Sequence, residues 1–127
     1  MSHLSTIKTK LKKKTPLIQA LLVMHYQVDT NQFIENPLGH QHEKVLCDVT
    51  IGNDIGFRWN SQTESYELVA DLQTWDQSVP PKRLLDKISQ QYAVELLTAA
   101  AKKEGYQIEN QDVNTRGAVE LTVTRWQ

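Results

Sequence analysis

The stretch from Pro81 to Gly105 constrains the fold more than any other, because its period and both of its ends indicate one amphipathic helix. Prolines suit a first turn whose amides lack acceptors, and Gly105 can take the left-handed conformation that ends many helices. Apolar side chains recur at steps of three and four and form a stripe about 100° wide. The stripe consists of Leu85, Ile88, Tyr92, Leu96 and Ala99. We expect Ile88 and Leu96, at its middle, to be buried against a sheet.

Residues 3–11 are predicted to form a strand with a basic outer face. Their apolar spacing fits a helix as well, but Thr6, Ile7 and Thr9 are β-branched, which favours extended backbone. Side chains alternate along a strand, so one face would carry Ile7, Thr9 and Leu11. The outward face would carry Lys8, Lys10 and Lys12. We expect these three lysines to contact a binding partner.

A short helix is predicted to follow this strand. Thr15 and Pro16 suit the N-cap and the first helical residue, and the apolar residues after them continue towards His25. Residues 26–42 are polar and have no clear period. Because residues 36–39 combine asparagine, proline and glycine, we expect this polar stretch to end in a loop.

The middle of the chain predicts an antiparallel meander of three strands. Two alternating segments, 45–51 and 55–59, flank the pair Gly52-Asn53, which is typical of a β-hairpin turn. A polar turn is expected at 60–65. Alternation resumes over residues 66–71, which predicts the third strand next to the second.

The predicted order is strand, helix, three strands, helix and two strands, the last two at 106–113 and 119–123 around a turn at 114–117. Each helix has one apolar stripe and the strands alternate, so we expect one α+β domain over residues 1–127. Both helices would pack on one face of a largely antiparallel sheet and leave the other face solvated. This arrangement is similar to a split βαβ unit. The single cysteine excludes an internal disulfide, and the longest apolar run is too short to span a bilayer.

Charge is unevenly distributed along a chain whose formal net charge is −1. The first 28 residues contain no acid and carry +5, from Lys8, Lys10, Lys12, Lys13 and Lys14. The other nine lysines and arginines face fifteen acids, which leaves −6 on the rest. Such lysines can attract an acidic protein, an anionic membrane surface or nucleic acid, or they can simply be solvated. No aromatic residue lies among them to stack on bases, which weakens the interpretation as a nucleic acid binder.

Part of the sequence around residue 40 contains residue types typical of a metal site. His40 and His42, with Glu43 beside them and Cys47 five positions further on, include residue types that bind zinc. Structural zinc requires four ligands and supporting partners, whereas a polar loop that contains two histidines explains the pattern more simply. We therefore expect no metal and no cofactor.

Catalysis by a known motif has no support in the sequence, which lacks the patterns of hydrolases, zinc proteases, P-loops and dinucleotide-binding folds. Asp54, Glu67 and Asp71 could meet at one end of the sheet as a carboxylate cluster. Acids at turns and on outward strand positions are ordinary, so we expect solvated surface instead. Gln90 and Gln91 lie on or beside the polar face of the long helix, where glutamine is simply a good helix former.

Short motifs distributed over the whole chain resemble those of one known family. They are Ser2-His3, Ser5-Thr6-Ile7-Lys8-Thr9, Asp54-Ile55-Gly56-Phe57, Tyr66-Glu67-Leu68-Val69 with Asp71, Gln90-Gln91-Tyr92-Ala93 and the closing Arg125-Trp126. Together they resemble the hypothetical chloroplast reading frame thirty-five family of algal plastids and cyanobacteria. This resemblance implies a photosynthetic cell, and it implies a ferredoxin or an AAA-type ATPase as a partner. It supplies no catalytic residues, and the chain departs from the family pattern at His25, where a glycine is expected.

The sequence and the resemblance together favour a small, soluble, non-enzymatic accessory or assembly protein that binds another protein. An RNA-associated protein, or another protein that binds through a basic face, is the alternative. An enzyme or metal protein that uses unrecognised residues is the third interpretation. The expected location is the cytoplasm of a cyanobacterium or the plastid stroma, where peripheral membrane contact is also compatible with the lysines.

Overall fold

The computed structural model describes residues 4–35, 44–113 and 119–125, and of the last two strands it describes only the backbone. These residues form an α+β fold, as predicted, with seven strands and two helices. In chain order they are β1 Leu4–Lys8, α1 Lys14–Val23, β2 Val28–Glu35, β3 Lys44–Ile51, β4 Ile55–Asn60, β5 Ser65–Asp71, α2 Pro81–Lys103, β6 Tyr106–Val113 and β7 Val119–Arg125. The loop predicted at 36–39 and the turn predicted at 114–117 lie outside the described residues.

Five strands form one antiparallel sheet in the order β1-β5-β4-β3-β2. The predicted meander is confirmed as β3, β4 and β5, and Gly52 takes a positive φ of 68° in the turn between the first two. β2 was not predicted, because only Ile34 of its eight residues is buried and the strand shows no alternation. β6 and β7 form a separate two-stranded sheet.

The main core lies between the helices and one face of the five-stranded sheet, where Phe57, Leu68 and Ile88 are buried together. The expectation that the other face stays solvated is wrong. Ile34, Cys47 and Val69 form a second buried cluster, separate from the helix-side core, and all seven residues of β5 are buried. The sheet is therefore apolar on parts of both faces.

Helix α2 has the ends that the sequence predicts. It begins at Pro81, and Gly105 follows its C-terminus with a φ of 81°. Ile88 and Tyr92 are buried, whereas Leu96 is only partly buried and Ala99 is exposed, so the predicted stripe is wrong at its C-terminal end. Because α2 contacts β6 and β7 as well as α1, its buried surface is wider than one stripe. The additional buried positions are Leu84 and Val94.

Helix α1 begins one residue before the predicted N-cap. Lys13 is the N-cap, and Thr15 and Pro16 lie inside the first turn, where a missing proline amide removes no intrahelical hydrogen bond. At the other end His25 adopts a φ of 69° and donates its backbone N–H to Leu22. The Tyr26 amide bonds to Leu21. His25 thus occupies the left-handed position at which glycine is usual.

Candidate functional site

The lysine-rich stretch over residues 8–14, here called the basic segment, connects β1 to α1. Only Lys8 belongs to the strand, because β1 ends there, so the prediction that Lys10 and Lys12 lie on the same strand is wrong. Past Lys8 the regular ladder with β5 ends, and the connection continues through bonds of the Thr9 side chain and one backbone bond at Leu11. The Thr9 hydroxyl donates to the Tyr66 carbonyl and also accepts the Leu11 amide.

The backbone of the basic segment is held at Leu11 and at the two residues that follow it. Leu11 is 1% exposed, and its carbonyl accepts the Tyr66 amide at 2.8 Å. Further on, the hydroxyl of Tyr92 in α2 accepts the backbone amides of Lys12 and Lys13, at 3.1 and 2.9 Å. The segment is thus attached to both the sheet and the long helix. Its lysine side chains extend from a fixed backbone.

Four of the five lysines in the basic segment are exposed to solvent, and the fifth, Lys14, is half-buried. The exposed lysines are Lys8, Lys10, Lys12 and Lys13. Among the described residues, no carboxylate lies within 4.0 Å of any of these ammonium groups. Lys13 and Lys14 also lie at the N-terminus of α1, where the helix dipole adds a partial positive charge. The site is therefore suited to a negatively charged partner.

Lys8 also faces a polar cluster on the sheet surface. Its Cα is paired across the strands with that of Glu67, a buried residue on β5. The Glu67 carboxylate accepts hydrogen bonds from the side-chain amide of Asn60 at 2.7 Å and from the Arg58 guanidinium at 3.3 Å. The Asn60 hydrogen bond, together with Arg58 and the more distant charge of Lys8, lowers the pKa of Glu67 although burial opposes this. The charge of Lys8 is thus partly balanced within the protein.

A groove of about 670 Å³ lies where the edge strand β1 runs beside the first half of α2. Residues 7–10 form one side of it. On the helix its lining residues recur at the spacing of one face, namely Lys82, Leu85, Asp86 and Ser89. Lys82 therefore joins the basic surface although it lies 68 or more positions along the chain from the basic segment. Sequence reasoning missed it because the contribution depends on which strand α2 crosses.

The three acids proposed as a cluster do not come together as one group, because Glu67 lies four residues along β5 from Asp71, the acid that the strand register places beside Asp54. Glu67 bonds to Arg58 and Asn60, whereas Asp71 accepts the backbone amide of Gln73 at 2.9 Å and Asp54 lies in the turn between β3 and β4. No group of three or more histidine, cysteine or acidic residues that could hold a metal occurs within the described ranges. The carboxylate cluster is therefore not formed.

Cys47 is a buried thiol on the sheet face opposite the helices. A Cβ built on Gly56 would come within 2.5 Å of its sulfur atom, which shows how closely the two strands pack there. Burial raises the pKa of the Cys47 thiol to about 11, so the sulfur is protonated at neutral pH and a poor nucleophile. His3, His40, His42 and Glu43 lie outside the described residues, and the expectation of no zinc there stays a prediction.

The remaining sequence candidates have structural roles. Gln91 donates its side-chain amide to Glu95 one turn further along α2, at 3.0 Å. Gln90 lies beside it and is partly buried. His25 ends α1 and is exposed. Neither described helix is long and apolar enough to cross a membrane.

Comparison with known proteins identifies the family. The model of the family described as "Protein of unknown function (DUF1257)" matches residues 20–122, and the chain belongs to this family. It is 35% identical over 132 aligned residues to the uncharacterised protein ycf35 of Guillardia theta and equally to that of Pyropia yezoensis, covering 99% of this chain and 98% of each relative. The ycf35 protein of Cyanophora paradoxa is 29% identical with the same coverage. These relatives are plastid-encoded. No solved structure matches the chain significantly.

Proposed function

We propose that this protein is a non-enzymatic accessory protein of a photosynthetic cell that binds another protein through the basic segment. One observation carries the proposal. The lysines at 10, 12 and 13 extend from a backbone fixed by Tyr66 and Tyr92, and no described carboxylate pairs with them. A fixed array of unpaired cations loses little conformational freedom when an acidic surface binds it.

A protein partner is favoured over single-stranded nucleic acid by the surroundings of the lysines. Base stacking needs exposed aromatic faces beside the cations. The aromatic residues that bond to the basic segment are Tyr66 and Tyr92, which are only 6% and 7% exposed. Their rings support the segment from within, so they offer no platform for bases.

The cellular setting of the proposal comes from the relatives. Because they are plastid-encoded, we place the protein in the plastid stroma or in the cytoplasm of a cyanobacterium. An accessory role is consistent with the described chemistry, in which the acids at 54, 67 and 71 do not form one cluster and the Cys47 thiol is protonated.

Affinity purification of tagged full-length chain from the native cell tests this function. The variant Lys8→Glu/Lys10→Glu/Lys12→Glu is compared with wild type and with Lys87→Glu/Lys102→Glu/Lys103→Glu, a matched control that makes the same charge change on exposed positions of α2. We expect a stoichiometric protein partner with wild type and control and little of it with the first variant. Equal recovery of the partner by all three proteins would contradict the proposal. Recovery of RNA would also contradict it if nuclease treatment removed every bound protein together with the RNA.

A further inference from the structure

The groove between β1 and α2 combines a strand edge with a helix surface. Among the strands that the structure describes, β1 pairs only with β5 and is an edge strand of the five-stranded sheet. The helix runs beside this edge, and its residues Lys82, Leu85 and Ser89 line the groove opposite Ile7 and Thr9. An open strand edge beside a helix is a surface on which proteins bind a partner segment by strand addition.

The direction of the peptide groups of β1 follows from their neighbours. Both the amide and the carbonyl of Tyr66 bond towards the β1 side, to Leu11 and Thr9. Successive residues of a strand direct their peptide groups to opposite sides, so the amide and carbonyl of Leu68 also point to β1. Those of its paired residue Ile7 therefore point to β5. The peptide groups of Thr6 and Lys8 therefore point to the open edge, where an added strand would bind.

The charge of the groove selects the kind of segment that fits. Three lysines, at 8, 10 and 82, face one acid, Asp86, so the lining carries a net positive charge. No described carboxylate lies within 4.0 Å of these lysines. Leu85 and Ile7 supply apolar surface between the charges. A second copy of this chain would bring its own β1 lysines against these, which opposes edge-to-edge pairing.

We propose that an extended, acidic segment of a partner protein binds in this groove as a sixth strand, antiparallel or parallel to β1. The inference rests on the proposed function and specifies how the partner is held. Side chains of an added strand alternate between the two faces of the sheet. Those on the helix side would meet Leu85 and favour apolar residues, whereas those on the opposite side would meet Lys8 and favour acids. The segment therefore alternates acidic with apolar residues.

Selection of peptides from a displayed library of random ten-residue sequences, with the full-length chain as bait, tests the inference. We expect enriched peptides that alternate acidic and apolar residues, and protection of the Thr6 and Lys8 amides from hydrogen exchange when a synthetic copy binds. Thr6→Pro removes one outward amide and should weaken that peptide about tenfold, whereas Thr6→Ala should leave its affinity unchanged. No enrichment, or enriched peptides without acids, would overturn the proposal.

A second variant keeps the test valid if Thr6→Pro unfolds the protein. Ser89 is exposed on the groove wall, so Ser89→Trp should fill the groove and prevent peptide binding. Ser78→Trp, the same change at an exposed position outside the groove, is the control. Peptide binding that survives Ser89→Trp would overturn the inference, as would a dimer of the wild-type chain that Thr6→Pro dissociates.

Binding of the native partner by these variants distinguishes the groove inference from the proposed function. If it is lost in the triple lysine variant but unaffected by Thr6→Pro and Ser89→Trp, the basic segment binds the partner without strand addition. In that case the groove inference fails and the proposed function stands. If all these variants keep the native complex, the proposed function fails as well.

Discussion

The hydroxyl oxygen of Tyr92 accepts a hydrogen bond from the backbone nitrogen of Lys13 at 2.9 Å, although the residues are 79 positions apart. The same oxygen accepts the Lys12 amide. The long helix thereby anchors the two residues that precede α1, whose N-cap makes no side-chain hydrogen bond. This contact also fixes the backbone from which the lysines extend, so the same hydroxyl supports both the fold and the position of the lysines.

Removal of that hydroxyl is the first test. Tyr92→Phe leaves two partly buried amides without an acceptor and should lower the free energy of unfolding by about 1–3 kcal/mol. Tyr26→Phe is the matched control, because Tyr26 is half-buried and its hydroxyl makes no hydrogen bond within the described residues. Urea denaturation measures the free energy of unfolding of both variants. Equal stability of the two variants would show that the Tyr92 bonds contribute nothing.

Ile88 tests the packing of α2 on the sheet. It is fully buried in the helix-side core, so Ile88→Ala should cost about 2–5 kcal/mol in denaturant unfolding. Leu96 is only partly buried, and Leu96→Ala should cost less than Ile88→Ala. Leu97, which is 47% exposed, provides the control, with an expected change within about 0.5 kcal/mol. If Ile88→Ala lowers the free energy of unfolding by less than about 0.5 kcal/mol, α2 does not pack on the sheet through Ile88.

The two helix ends give a pair of opposite predictions. His25 and Gly105 both have positive φ, at 69° and 81°. Left-handed backbone is strained for a residue with a Cβ, so His25→Gly should raise the melting temperature and stabilise the protein by about 0.5–1 kcal/mol. Gly105→Ala should destabilise it by a similar amount. If His25→Gly instead lowers the melting temperature, the side chain of His25 makes a contact that outweighs the strain.

The Glu67 cluster predicts an acid-sensitive contribution to stability. The Asn60 hydrogen bond, with Arg58, holds the folded pKa of Glu67 below its usual value of 4.5. A carboxylate with a lowered pKa stabilises the fold above the unfolded pKa, and that stabilisation is lost as pH falls through the folded value. Wild type should therefore exceed Glu67→Gln in stability at neutral pH, with the difference narrowing in acid. The exposed control Glu64→Gln should have the stability of wild type at every pH. If the difference between wild type and Glu67→Gln does not change with pH, titration of Glu67 does not contribute to stability.

The sequence predicted elements whose signals are local. Proline and glycine at the ends of α2, and Gly52 between β3 and β4, define those elements without long-range information. Edge strand β2 was missed because most of its side chains face water and its partner β3 lies beyond residues 36–43. The start of α1 was misplaced because the two residues that precede it bond to Tyr92, far along the chain.

The candidate site was only partly visible in the sequence. The run of lysines showed where positive charge accumulates, since charge can be counted along the chain. The contribution of Lys82 and the groove could not be found by counting charge, because both depend on the position of α2 beside β1. Similarly, the partial balance of Lys8 by Glu67 depends on the pairing of β1 with β5.

The salt dependence of the partner complex tests the central claim most directly. The partner recovered with wild type is purified, and its dissociation constant is measured at several ionic strengths for wild type, for the Lys8/Lys10/Lys12 triple glutamate variant and for the Lys87/Lys102/Lys103 control. We predict that the wild-type affinity falls as salt rises, because exposed charges are screened beyond ~8 Å at physiological ionic strength. The triple variant should bind about tenfold or more weakly at low salt, while the control keeps wild-type affinity. Full affinity of the triple variant at low salt would contradict the claim that the basic segment binds the partner.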